Sequence, residues 1–105
     1  MIAVVSRCRT LDTPGATEAY VAGSADFLEW LRDQPGFRGR LLLADRDDPR
    51  SFTHVRLFDS VEDYEAMVLR PGYAERIEAL GAHLDLETVP TKSYADVALA
   101  DGFAG

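Results

Sequence analysis

The order of hydrophobic patterns predicts an α+β domain: a ferredoxin-like βαββαβ fold with one four-stranded antiparallel sheet and its helices on one face. Three observations carry this. Alternation between apolar and polar residues, or short apolar runs, marks strands at residues 2–9, 40–44, 52–58 and 92–99. Helical spacing marks residues 16–33 and a second region that starts after Ser60. The central strands are separated only by Asp45 to Ser51, a run of charge, proline and serine that must reverse the chain in water. Two βαβ halves in this order place both helices against the same side of the sheet.

Each element has a local reason. Ile2 to Val5 open the first strand with β-branched residues; Ile2, Val4, Ser6 and Cys8 fall on one face, Ala3, Val5, Arg7 and Arg9 on the other. Pro14 and Gly15 turn the chain into a helix whose Tyr20, Ser24, Phe27, Leu28 and Leu31 recur at helical spacing. Gly23 lies inside that helix and costs about 1 kcal/mol of propensity relative to Ala, so packing must offset it. Pro35, Gly36 and Gly39 end the helix and lead into the second strand. In the third strand Phe52, His54, Arg56 and Phe58 share one face, Thr53, Val55 and Leu57 the other.

Ser60 with Asp63 resembles a capping box. Tyr64, Met67 and Val68 give that helix its apolar side, Pro71 and Gly72 break it, and a further helical piece puts Tyr73, Ile77 and Leu80 inward, with Gly81 as its stop. Residues 84–89 alternate once more before Pro90, and a last strand resumes at Lys92. A single domain over residues 1–99 is expected, with a loose tail at 100–105 in which Phe103 could dock on a neighbour. The second face of the sheet, read as carrying Ile2, Val4, Val55 and Leu57, is too apolar for water, so a second copy of the chain is expected to cover it as a homodimer. Cys8 is read on that same dimer-facing side.

Composition narrows the function. A net charge of −7 argues against nucleic acid and against acidic membrane surfaces as partners. Cys8 is the sole cysteine, so no intrachain disulfide can form and a reducing, cytoplasmic location is expected. No apolar run approaches the roughly 18 residues of a membrane span. No glycine-rich phosphate loop, helical His-Glu metal motif or Ser-His-Asp spacing is present, and two histidines with one cysteine make a poor metal site. The expectation is therefore neither metal nor cofactor.

With the element order in hand, the chain resembles the antibiotic biosynthesis monooxygenase family of small dimeric α/β-barrel proteins. The resemblance lies in Pro14-Gly15 after the first strand, Pro35-Gly36-Phe37 before the second, Asp47-Asp48-Pro49 before the third, and Phe58-Asp59-Ser60 followed by Asp63, Tyr64 and Glu65. It implies a homodimer in a family that includes cofactor-free oxygenases of aromatic polyketides, quinol oxygenases, haem-degrading enzymes and members with no settled activity. It also implies departures: Phe58 stands where many members have Trp, His54 where some polyketide oxygenases have Asn, and Arg56 where many have Glu. Arg7 occupies the place of an Asn used by haem-degrading members, and their haem-ligating His has no counterpart near Tyr73, so haem degradation is not expected.

Arg7, His54 and Arg56 form the candidate catalytic group, placed together on the helix-facing side of neighbouring strands. Phe52, Phe58, Trp30, Tyr64 and Tyr73 are the candidate substrate-binding aromatics. Buried guanidinium groups need a compensating charge, which either an acidic or phenolic ligand or a carboxylate of Glu18, Glu62 or Asp59 would supply. His54 is the expected base, because an ordinary imidazole titrates near ~6.5. His83 suits a helix C-terminal role instead. The expected function is a cofactor-independent monooxygenase that deprotonates a polyketide- or quinol-like aromatic and hands it to O₂. The alternatives are a dimer that binds a small aromatic ligand without catalysis, and a cyclase or isomerase using the same pocket.

Overall fold

In a computed structural model, which describes residues 1–87 and 91–100, the chain forms β1 (Ile2–Arg9), α1 (Ala16–Leu31), β2 (Phe37–Ala44), β3 (Ser51–Phe58), α2 (Val61–Val68), α3 (Tyr73–Gly81) and β4 (Thr91–Asp96). The strands pair antiparallel in the order β2-β3-β1-β4. This is the expected ferredoxin-like architecture, with the second helical region split into α2 and α3. The core lies between sheet and helices, where Ile2, Val4, Phe27, Leu31, Phe58, Tyr64 and Met67 pack together.

Most elements form where local chemistry places them. Ala16, Tyr20, Ser24, Phe27 and Leu31 make one buried stripe of α1. The helix stops at Leu31, short of residue 33, because Asp33 and Gln34 bond back to Trp30 and Leu31 in a tightening turn. A Cβ at Gly23 would stand 3.1 Å from Leu80 Cδ2, so the glycine lets α1 and α3 come close, and that packing offsets its poor propensity. Ser60 caps α2: its Oγ accepts from Asp63 N–H at 3.1 Å.

Three stretches depart from expectation. β2 starts at Phe37, not at residue 40, because a bulge between Phe37 and Gly39 absorbs Arg38 and keeps the ladder going. Gly39 supplies the positive φ of 142° that the bulge uses, and Gly36, at φ 81°, lies where a side chain would collide with the Asp63 carboxylate. Over residues 84–87 the expected alternation does not make a strand. Leu84 forms a lone bridge with Thr10, and Glu87 N–H turns back onto Asp85 Oδ1 at 3.0 Å; positions 88 and 89 lie outside the described residues. β4 ends at Asp96 instead of residue 99. Of the expected tail, residues 101–105, with Phe103, also lie outside them.

The register of β1 corrects the assignment of faces. Ile2, Val4, Ser6 and Cys8 stand opposite Phe58, Arg56, His54 and Phe52, so they face the helices. Ala3, Val5 and Arg7 stand opposite Leu57, Val55 and Thr53 on the other face. Ile2 and Val4 are therefore core residues and not part of the outer surface; Cys8 faces inward too. Arg7 is separated from His54 and Arg56 by the thickness of the sheet. The outer face is still apolar, with Leu41 and Leu43 of β2 at 47% and 48% exposed beside Val5, Val55 and Leu57. Among the described residues no helix is long and apolar enough to cross a membrane.

Candidate functional site

Rows of opposed residues on the inner face of the sheet build the site. One row runs Leu42, His54, Ser6, Lys92 across β2, β3, β1 and β4; the next runs Arg40, Arg56, Val4, Tyr94. Above them, α2 and α3 hold Tyr64 and Tyr73. Between sheet and helices lies a cavity of about 330 Å³ whose wall includes His54, Arg56, Tyr64, Tyr73, Tyr20, Ile77, Leu80 and Lys92. Its volume sits at the small end of the range for ligand sites, about 300–1,000 Å³. A wider depression of about 710 Å³, bounded by Arg7, Arg9, Leu43, Thr53 and Thr91, belongs mainly to the outer face. Size alone does not single it out: the buried polar groups that lack partners at the sheet lie in the smaller cavity.

Arg56 is 4% exposed. Its Nη2 donates to Ser6 Oγ at 2.6 Å, and its guanidinium carbon lies 5.5 Å from the centre of the Tyr64 ring. Among the described residues its Nε has no acceptor, and no carboxylate lies within ion-pair distance of the side chain. The carboxylates expected to pair with it do not. Asp59 takes Arg38 instead, with Arg38 Nε donating to Asp59 Oδ1 at 2.6 Å and Nη2 to Oδ2 at 3.0 Å. Glu18 and Glu62 are exposed.

His54 is 8% exposed and its Nε2 also has no partner among the described residues. Burial, and then the charges of Arg56 and Arg40, push its pKa from 6.5 down to about 3. The expectation of an imidazole titrating near neutrality is thereby overturned: His54 is neutral at physiological pH, with a buried acceptor or donor nitrogen left to offer. Arg40 is itself drawn down by burial and donates to Ser24 Oγ on α1. The Tyr73 phenol is pushed up by burial and then by Tyr64, with Arg56 pulling the other way. Cys8 donates to the Tyr20 hydroxyl at 3.3 Å, and burial raises both groups.

Of the residues singled out from the sequence, His54, Arg56, Tyr64 and Tyr73 meet at this cavity. Arg7 does not, because it has the opposite strand parity. Phe58 is fully buried, edge-on to Phe37 and Tyr64, and Trp30 stacks on Phe27 at 5.8 Å with Arg76 over its ring; neither contributes to the cavity wall. Phe52 packs on Tyr20 at 5.2 Å, beyond the wall. Lys92 is the residue that sequence reasoning missed: its ammonium reaches the Tyr64 hydroxyl at 3.4 Å and lies over the Tyr64 and Tyr94 rings. Its only signal was an inward parity on β4, which appears once β4 is paired with β1. Among the described residues no group of three His, Cys, Asp or Glu side chains is placed to hold a metal ion.

No protein-family model and no curated protein matches the chain. Solved structures do. An antibiotic biosynthesis monooxygenase aligns with a TM-score of 0.77 at 16% identity, over 94% of this chain and 100% of its own. SnoaB, a cofactor-independent oxygenase from Streptomyces nogalater, aligns at 0.74 and 21% identity, over 95% of each chain. A conserved protein from Methanosarcina mazei Go1 aligns at 0.77 and 13% identity, over 90% of this chain and 89% of its own. The fold is that of the antibiotic biosynthesis monooxygenases, as the spacing of the sequence motifs implied.

Proposed function

On the fold this chain shares with antibiotic biosynthesis monooxygenases, we propose that it is a cofactor-independent monooxygenase of a small aromatic molecule, acting as a homodimer. The observation that supports this reading is the aromatic cavity between sheet and helices, whose wall includes Arg56 and His54, both buried and, among the described residues, without a carboxylate partner for Arg56 or a hydrogen-bond partner for His54 Nε2. In the proposed reaction an activated CH₂ loses a proton to give a carbanion beside Arg56. The carbanion passes an electron to O₂, the pair combines as a carbon-bound peroxide, and loss of water with the second C–H proton leaves a carbonyl. One oxygen atom ends in the product and the other in water. The chain's part is to desolvate and orient the substrate and to stabilise the anion.

His54 is the acceptor for the proton, but it is a weak one while the cavity is empty. The Arg56 and Arg40 charges that help hold it near pKa 3 also favour the carbanion, and the anion once formed partly cancels those charges at the imidazole. Tyr64 and Tyr73 hold the ring system, with their hydroxyls toward Arg56 and Lys92. Oxygen uptake with a panel of anthrones and quinols tests the reading. Uptake is expected with at least one of them, and to fall about 100-fold or more in Arg56→Met; no uptake with any member overturns catalysis. The weak basicity of His54 favours one second reading, a dimer that binds an aromatic ligand without turning it over, and that outcome would leave it standing.

The homodimer is proposed from the outer sheet face, where Leu41, Leu43, Val5, Val55 and Leu57 leave an apolar surface that a second copy would cover. Sedimentation is expected to give a dimer for the wild type and a monomer for Leu41→Asp with Leu43→Asp. A monomeric wild type at micromolar concentration overturns it.

A further inference from the structure

Resting on the reading of this cavity as the ligand site, we propose that it selects its ligand as an aromatic oxyanion, seated against Arg56, with Lys92 at the mouth as a second, previously unassigned cationic contact. Three observations converge. Among the described residues that wall the cavity there are two permanent cations and no Asp or Glu, in a chain whose net charge is −7. The excess of acid sits elsewhere, so the positive sign of the cavity is local.

Arg56 is the deeper charge. Arginine does not give up its proton in a protein, so at 4% exposure it is a buried cation beside the Ser6 hydroxyl, the Tyr64 ring face and the Tyr73 phenol, with no counter-ion among the described residues. Leaving such a charge unpaired is costly, and an entering anion recovers that cost. Among the described residues its Nε–H has no acceptor and is shielded from water, so the guanidinium charge is poorly solvated, and an interaction with an ionised acceptor is about twice as strong as one with a neutral acceptor.

Lys92 extends the same field outward. Its ammonium is 5.2 Å from the centre of the Tyr64 ring over which Arg56 also lies, and it donates to the hydroxyl of that ring. Two like charges on one ring repel, and an anion in the cavity relieves both. His54 adds no positive charge of its own at neutral pH, so Arg56 and Lys92 carry the positive charge of the wall. The rest of the wall, from Tyr20, Tyr73, Ile77 and Leu80, suits an aromatic body.

Calorimetric titration of the full chain with 2-naphthoate and with its neutral counterpart 2-naphthalenemethanol tests this. The carboxylate is expected to bind about tenfold or more tightly than the alcohol. Arg56→Met should remove that preference, Lys92→Met should reduce it several-fold, and Lys92→Arg should keep it. Because Lys92 is exposed, its variants report on binding even if Arg56→Met fails to fold. 4-Nitrophenol, whose phenolate is coloured, separates the two sources of the oxygen: its apparent pKa should fall by about 1 unit or more on binding if phenolates are taken as well as carboxylates. Equal affinity for acid and alcohol, binding of neither, or a preference unchanged by both the Arg56 and Lys92 substitutions overturns the proposal. The readout needs no oxygen: anion preference without oxygen uptake defeats only the monooxygenase reading, and uptake with a neutral substrate but no anion preference defeats only this one.

Discussion

Replacing His54 with Leu is expected to remove much of the molecule's sensitivity to mild acid. In the folded chain the His54 pKa lies at about 3 against its ordinary 6.5, so between those values the unfolded chain binds a proton that the folded chain refuses. The unfolded state then holds more protons, stability rises with pH across that window, and the folded wild type loses stability as pH falls from 6.5 toward 3. The full loss is about 4–5 kcal/mol, of which about 3 kcal/mol has gone by pH 4. Urea unfolding at pH 7 and pH 4 measures it. The wild type should lose about 3 kcal/mol more than His54→Leu between the two. Asp48 and Asp59, whose carboxyls are held low by Ser51 and Arg38 respectively, are lost with acid in both proteins and cancel in the comparison. Equal losses in the two proteins would show that the imidazole is protonated in the fold, and the neutral His54 of the proposed mechanism would go with it.

Phe58→Ala is expected to destabilise the fold by about 3–5 kcal/mol, the usual range for removing a fully buried aromatic. Phe58 has no exposed surface and meets Phe37 and Tyr64 edge-on at 5.6 and 5.5 Å. Burial, however, is not the same as contact with a ligand. The family resemblance puts a substrate aromatic at this position, while the structure puts it behind Tyr64. Phe58→Leu separates these roles: it should lower stability by only about 1–2 kcal/mol and leave the affinity for 2-naphthoate within twofold. A larger change in affinity, without a matching loss of stability, would return Phe58 to the ligand site.

These two residues show what a sequence can and cannot say. The alternation from Phe52 to Phe58 is visible by eye, and it places His54 and Arg56 on one face beside two Phe side chains. What it cannot supply is which face of β1 joins them. A strand slipped by one residue exchanges all its inward and outward side chains, and β1 is apolar on both faces at its start. The alternation alone therefore points Ile2 and Val4 outward and Arg7 inward, and the pairing of Val4 with Arg56 reverses all three. Lys92 escaped for a related reason: residues 92–99 alternate weakly, and only pairing with Ser6 turns Lys92 toward the cavity. The basicity of His54 was legible only as a residue type. Its actual proton affinity is set by Arg56 from its own strand and Arg40 from the next, and by how little water reaches it. The fold itself was legible because capping residues, glycine positions and a polar reversal agree with the hydrophobic period at nearly every step.

Gly23 gives the chamber an unexpected gauge. No part of α3 is as deeply set as the stripe of α1, and the two helices come together where one hydrogen atom stands in place of a methyl group. The ceiling over the ligand space is therefore set by a residue that never touches it. Adding a single carbon at position 23 would ask Leu80, a wall residue of the chamber, to give way by a few tenths of an ångström, so the shape of that wall depends on a position that makes no contact with the guest.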